Sequence, residues 1–189
     1  MANKIKFGIS HLYYVPVTST SAEGVITYGT VTPWPGAVSL SLDAQGTTNP
    51  FYADNVIYWQ AEASSGYEGD LEVALIPDSF RVDIMGETLD SKGFYVEKSN
   101  SVPKEFALLF QFEGDESATR HCFYRCTATR PSVSGSTKED TIEPQTETVT
   151  LTAMGRINDT VVKSRCPYTS STTSAYALWF DAVQEPTAI

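Results

Sequence analysis

The sequence is poor in the residue types on which most catalytic and metal sites depend. It contains only two histidines and three cysteines in 189 residues. It also lacks the Gly-x-Ser-x-Gly, His-Glu-x-x-His and glycine-rich phosphate-binding motifs. If Cys122 and Cys126 share a strand, they lie about 13 Å apart, and a disulfide spans no more than about 7 Å between Cα atoms. We therefore expect Cys122, Cys126 and Cys166 to be buried thiols and His121 to be structural, with no metal and no cofactor.

Long apolar runs and excess positive charge are also missing. No segment approaches the ~18 apolar residues of a membrane span, and the start of the chain lacks the apolar region of a signal peptide. We therefore expect no membrane partner and synthesis in a cytoplasm. Acidic residues outnumber basic ones by 23 to 13, which gives a net charge of -10. This balance disfavours a partner held chiefly through its phosphates.

What the chain does contain is the composition of a globular protein. It is 41% hydrophobic and 12% aromatic, and a chain of this length buries roughly 70% of its unfolded surface. We expect a single domain over residues 1–189, with a tail at 184–189. The segment 131–145 is polar and rich in Ser and Thr, which predicts a mobile exposed loop.

Alternation of apolar and polar residues predicts a mainly β protein. The longest alternating stretch is residues 37–76, which predicts one long antiparallel sheet segment with turn chemistry at 45–50 and 64–66. Further strands are predicted at 106–112, 120–127, 146–153 and 174–180.

One short helix is predicted after the long alternating stretch. Pro77 precedes two residues able to cap a helix, Asp78 and Ser79. The spacing of Phe80 and Ile84 then gives one buried stripe, and Gly86 predicts the end of the helix.

A row of carboxylates, Glu68, Asp70 and Glu72, lies within the segment 37–76. These side chains project from one face of a strand, about 6.6 Å apart. The other face holds Tyr67, Leu71, Val73 and Leu75. Such a row is compatible with a solvated strand face or with a surface that repels polyanions. Carboxylates at this spacing also suit glycoside hydrolysis or a hard cation.

Several stretches, in order along the chain, resemble the major tail proteins of long, non-contractile-tailed phages of Gram-positive bacteria, the phi13-type tail tube family. They are PGAVSLSL at 35–42, FYADN at 51–55, GYEGDLEVALIP at 66–77, GETL at 86–89, FALLF at 106–110, CTATRP at 126–131, EPQTET at 143–148 and YALWFDAV at 176–183.

The resemblance implies a β-sandwich with one flanking helix and a long hairpin, the tail-tube fold. It implies a structural virion protein that self-assembles into stacked hexameric rings, the tail tube through which genomic DNA leaves during ejection. In relatives a long hairpin contributes to an inner β-barrel around the lumen, and residues 37–76 are the natural candidate here. Partners implied are other copies of the chain, a tape-measure protein, and tail terminator and baseplate or distal tail proteins. DNA is expected to pass without specific binding.

Two groups of site residues follow from combining the resemblance with the alternation. Glu68, Asp70 and Glu72 are expected to face the lumen. The subunit-interface hairpin is expected to include Phe51, Tyr52, Asp54 and Trp59.

Two other classes of function stay open from the sequence. A host-glycan binding module of β-sandwich type would use aromatic side chains as a stacking platform. The candidates are Tyr13, Tyr14, Trp34, Tyr52, Trp59 and Tyr67. An acidic-site hydrolase would rest only on the carboxylate row.

Overall fold

A computed structural model describes residues 5–137 and 144–186. Its strands and helices, in chain order, are β1 Phe7–Thr20, β2 Ile26–Tyr28, β3 Thr32–Pro33, β4 Ala37–Ala53, β5 Val56–Val73, α1 Asp78–Asp83, β6 Thr88–Leu89, β7 Tyr95–Val96, β8 Phe106–Glu113, β9 Arg120–Ala128, β10 Glu147–Ala153, β11 Lys163–Cys166 and α2 Thr173–Ala177.

One large antiparallel sheet carries most of these strands, in the order β2-β1-β8-β9-β10-β5-β4, with β3 on β1 and β11 on β9. Leu12 of β1 and Leu40 of β4 come from distant strands of this sheet, yet both pack on the same core. The sheet therefore folds over that core, consistent with a β-sandwich. The prediction of a mainly β fold is confirmed.

The main core lies on one face of the sheet and is closed by α1. Phe106, Leu108 and Leu71 are fully buried there. From α1, the Phe80 ring packs 4.1 Å from the ring of Trp34, centroid to centroid. Burying side chains of this size stabilises the fold by about 1.5–3 kcal/mol each.

A second core lies on the opposite face, under the C-terminal segment. Leu109 of β8 and Tyr124 of β9 are fully buried against Trp179. The Arg120 guanidinium stacks over the Tyr176 ring at 3.8 Å, which fastens the segment to β9. Strands β8 and β9 are therefore covered on both faces, whereas β5 and β10 keep one open face.

The central strand predictions are confirmed with small changes of boundary, as β8, β9 and β10. The strand predicted at 174–180 is wrong, because this segment forms α2 and the turn after it. The Tyr176 amide donates to the Thr172 carbonyl at 2.8 Å. Helical spacing brings Tyr176 and Phe180 onto the same guanidinium, that of Arg120. The described part of the chain thus contains two short helices, where one was predicted.

Helix α1 confirms the predicted helix, but its start differs. Pro77 occupies the N-cap without any side-chain capping bond, so the predicted caps at Asp78 and Ser79 are wrong. The Pro77 carbonyl instead accepts the Phe80 amide at 3.0 Å. Gly86 has φ +78°, the left-handed conformation expected after a helix.

The predicted loop and tail lie partly outside the described residues. Residues 131–137 contain no helix or strand, and residues 138–143 are outside the described part of the chain. In the predicted tail, the Gln184 carbonyl accepts the Tyr124 hydroxyl at 2.8 Å, and Glu185 pairs with Arg156 at 3.3 Å. The first residues of the tail are therefore packed on the domain, while 187–189 are outside the described residues.

Candidate functional site

Strands β4 and β5 extend beyond the sheet as a two-stranded arm, defined here as residues 45–66. Strand β10 pairs with β5 only between Tyr67 and Val73. Strands β4 and β5 stay paired with each other to the last pair, Ala53 with Val56. At about 3.3 Å per residue, the arm reaches roughly 30 Å past the sheet.

The end of the arm is a tight turn at Asp54 and Asn55. Both residues have positive φ, 52° and 62°, the pattern of hairpin turns that match the strand twist. The turns predicted at 45–50 and 64–66 are therefore wrong. The ladder shifts register at Gln45/Gly46 and at Phe51/Tyr52, so the strands absorb the turn-forming residues as irregularities.

The arm exposes large apolar side chains from both of its strands. Phe51 pairs across the ladder with Trp59, and Tyr52 pairs with Ile57. The exposed side chains are Phe51 57%, Tyr52 61%, Val56 58%, Ile57 53%, Tyr58 74% and Trp59 60%. An isolated two-stranded ribbon is marginally stable in water, and an exposed apolar surface of this kind marks a contact with another molecule.

The predicted interface residues Phe51, Tyr52, Asp54 and Trp59 all lie at the tip of the arm. The structure brings these four together, and sequence reasoning missed the exposed Val56, Ile57 and Tyr58. Val56 and Tyr58 were missed because they occupy the other phase of the alternation in β5. In a ribbon with no core beneath it, both phases are exposed.

The carboxylate row lies on the open face of the sheet, beside the base of the arm. Glu68 and Asp70 are exposed, and Glu72 is half-buried. On the other face of the strand, Leu71 and Val73 are fully buried. The predicted alternation is confirmed for these residues.

For Leu75 the same alternation is wrong, because the strand ends at Val73. Leu75 is 66% exposed.

Hydroxyl groups surround the carboxylate row. The Thr150 hydroxyl donates to Asp70 at 2.7 Å. Glu72 accepts the hydroxyls of Thr146 at 2.6 Å and Ser39 at 2.9 Å. These hydrogen bonds hold the pKa of Glu72 below its ordinary value, and the bond from Thr146 has the largest effect.

No basic side chain occupies a position paired with the carboxylate row. The positions paired with the row on the two neighbouring strands hold Ser39, Ser41, Asp43, Thr148, Thr150 and Thr152. The row and Asp43 therefore form a strip of negative charge on this face.

The described residues contain no group of three or more His, Cys, Asp and Glu side chains able to hold a metal ion. Cys122, Cys126 and Cys166 are free and buried, as predicted. Burial raises the pKa of the Cys122 thiol well above its ordinary value. The His121 ring stacks on Phe110 at 5.2 Å, and burial lowers its pKa. These groups are packing elements.

The aromatic platform considered for glycan binding does not form. Tyr14 and Trp34 are 0% and 1% exposed in the main core. Tyr52 and Trp59 lie instead at the arm tip, where β4 and β5 extend past the sheet. The six aromatic side chains therefore do not lie on one common surface.

A cleft between the base of β4 and the strands β8, β9 and β11 was not predicted from the sequence. We call it the seam cleft, and its lining includes Lys6, Leu40, Leu42, Phe112, His121 and Lys163. Sequence reasoning missed it because the lining comes from widely separated segments with no shared motif.

None of the described helices has the length and apolar character needed to cross a membrane. The profile of the family described as phage tail tube protein matches residues 2–165. A comparison with curated proteins found no match.

Proposed function

The chain belongs to the phage tail tube protein family, and we propose that its copies join into hexameric rings that stack into the wall of a siphophage tail. The family is structural rather than enzymatic, and its members are components of the virion tail. In the proposed tube, residues 1–189 act as one tail-tube domain, and the lumen is the conduit for genomic DNA during ejection into the host.

The observation that carries this proposal is the uncovered arm. Within the described chain β4 is the last strand of the large sheet, so one of its edges is unpaired. The arm portion of β5 lies beyond the reach of β10 and has a free edge as well. Free edges pair with strands of other chains. A head-to-tail contact that closes on itself gives a ring.

Segment 37–76 is the proposed contribution of each copy to an inner β-barrel. Pairing between neighbouring copies satisfies the open backbone groups of β4. It also covers apolar side chains of the arm, such as Phe51 and Trp59, that one copy leaves exposed. The residues proposed for the subunit interface, Phe51, Tyr52, Asp54 and Trp59, all belong to this surface.

We assign Glu68, Asp70 and Glu72 to the lumen. Support comes from their open face and from the neighbouring hydroxyl side chains, which leave the negative charge uncompensated. Phosphates that meet carboxylates release no counterions, and counterion release is what drives most non-specific DNA binding. A ring of such rows keeps DNA from adhering to the wall.

The proposed partners follow from this role. A tape-measure protein fills the lumen before ejection, and tail terminator and baseplate or distal tail proteins cap the ends. Assembly takes place in the cytoplasm of the host bacterium. DNA passes through without specific binding.

Electron microscopy of the purified protein tests the assembly. We expect rings or tubes as the protein concentration rises. Trp59→Asp is expected to abolish them, while Lys92→Glu, at an exposed turn, is the matched control and is expected to assemble normally. Monomers at every concentration and salt tested, together with virions whose tails lack this chain, would contradict the proposal.

Lysine substitution tests the lumen assignment. A phage carrying Glu68→Lys, Asp70→Lys and Glu72→Lys is expected to assemble tails that eject DNA more slowly, because the wall then attracts phosphates. Lysines at the exposed positions Glu23, Glu116 and Asp181 change the net charge equally and serve as the control. Equal ejection rates for the two triple variants would show that the row lies outside the lumen.

A further inference from the structure

The seam cleft is an apolar recess between the base of β4 and the strands β8 and β9. Among the described residues, no hydrogen-bonded ladder joins β4 to β8 or β9. Leu40 and Leu42 of β4 and Phe112 of β8 line the recess and are only partly buried. The recess is therefore an apolar surface that a side chain from outside can enter.

Three cations surround this recess, in a chain whose net charge is -10. Lys6 and Lys163 line the seam cleft, and Arg165 lines its continuation beside Lys6. The ammonium of Lys6 lies 4.4 Å from the Phe112 ring, and that of Lys163 lies 4.3 Å from the Tyr67 ring. Aromatic faces hold these ammonium groups at the mouth of the cleft.

No carboxylate of the described residues forms an ion pair with these cations. The ion pairs found among the described residues involve none of the three. Asp115 lines the neighbouring recess, but it accepts the Ser117 and Thr119 amides at 3.1 and 3.0 Å, which fix it within its own turn. The mouth of the cleft therefore presents positive charge beside an apolar floor.

The arm tip has the complementary chemistry. Residues 45–66 contain two acidic residues, Asp54 and Glu62, and no lysine or arginine. Asp54 sits in the turn, and the exposed Phe51 and Trp59 pair with each other on the two strands that lead to it. An acidic group flanked by exposed aromatic rings is what a cationic mouth over an apolar recess binds.

The tip that fills the cleft must come from another copy. Leu42 and Tyr67 line the cleft at the base of the arm. Asp54 lies in the turn after β4, twelve residues beyond Leu42 and about 40 Å of extended chain away. The arm of one copy therefore points away from its own cleft.

We propose that the seam cleft of one copy receives the arm tip of a second copy, with Asp54 meeting Lys6 and Lys163 and with Trp59 covering Phe112. This inference rests on the proposed function, because it names the partner surface of the assembling arm. It accounts for both the exposed rings of the tip and the cations of the cleft by one contact.

Charge exchange between the two surfaces tests this contact. Asp54→Lys and Lys163→Glu are each expected to raise the concentration needed for tube formation by about tenfold or more, since like charges then meet across the interface. The double variant is expected to recover much of the wild-type behaviour. Lys92→Glu is the matched control, because it reverses the charge of one lysine that lies outside the cleft. Additive losses in the double variant would overturn the contact.

Cross-linking provides a second measurement that does not depend on the charge variants. A photoreactive phenylalanine analogue at position 59 is expected to cross-link, in assembled tubes, to peptides containing Leu40, Phe112 or Lys163 of another copy. Tubes with cross-links only to other peptides would overturn this contact and leave the proposed function intact. Failure of the wild-type protein to assemble at all would overturn both.

Discussion

The base and the arm of one hairpin share two strands but differ in what covers them. At the base, β5 lies between β4 and β10, and Leu71 and Val73 are fully buried. In the arm the same strand has only β4 beside it, and Tyr58 and Trp59 are 74% and 60% exposed. Alternation alone does not distinguish the two regions. What distinguishes them is whether the surface is covered by the same chain or is left for another copy.

The largest effect is expected from removing the arm. Replacing residues 46–65 with Asn-Gly joins Gln45 to Gly66, which pair in the sheet, by a two-residue turn. We expect assembly to be lost entirely and the melting temperature of the monomer to change by no more than about 4 °C. Light scattering and thermal circular dichroism measure the two outcomes. A shortened protein that still forms tubes would show that the arm is not the assembly surface.

Truncating one side chain in each region sharpens the comparison. Leu71→Ala leaves a cavity in the main core and is expected to lower the free energy of unfolding by about 2–5 kcal/mol. Trp59→Ala is expected to change the free energy of unfolding of the monomer by less than about 0.5 kcal/mol. Denaturant unfolding of monomeric protein gives both values. Similar losses would mean that the arm folds back on its own domain.

Gly66 marks the boundary between the regions. It has φ +120°, and a Cβ there would lie 2.0 Å from the Ala153 carbonyl oxygen of β10. Gly66→Ala is expected to destabilise the protein by about 1–3 kcal/mol. Gly93→Ala is the matched control, because Gly93 has φ +87° with open space around its Cβ position. If both variants lost the same free energy of unfolding, the loss at Gly66 would come from backbone strain alone and not from a clash with Ala153.

The smallest effect concerns the pH dependence of the base. The pKa of Glu72 lies below its ordinary value of 4.5. Above pH 4.5, the hydrogen bonds that Glu72 accepts from Thr146 and Ser39 therefore contribute their full stabilisation to the fold. This contribution is lost as the pH falls through the lower pKa of the folded state. We expect Glu72→Gln and Thr146→Val to flatten the loss of stability below pH 4.5. Acid titrations that superimpose on the wild type would contradict this.

Residues with a strong local pattern were predictable from the sequence. The alternation of Leu71 and Val73 with the carboxylates fixes the two faces of β5, and the spacing of Phe80 and Ile84 fixes α1. Both patterns are confirmed because the burial of those side chains follows from the core of the same chain.

Other features depend on contacts that no local pattern encodes. Gly46 and Pro50 are typical of turns, yet they lie within β4 because the irregular ladder with β5 accommodates them. Tyr176 and Phe180 alternate like strand residues, yet both turn toward Arg120. The seam cleft likewise brings together Lys6 and Lys163, which are remote in sequence.

The uninterrupted course of β5 has a mechanical consequence. Seven residue pairs join it to β10, and the same strand continues without a break into the arm. Tension applied along the arm loads those hydrogen bonds together in shear rather than opening them one after another. A pull on the arm therefore reaches the middle of the sheet through a continuous strand, with no flexible linker to stretch first.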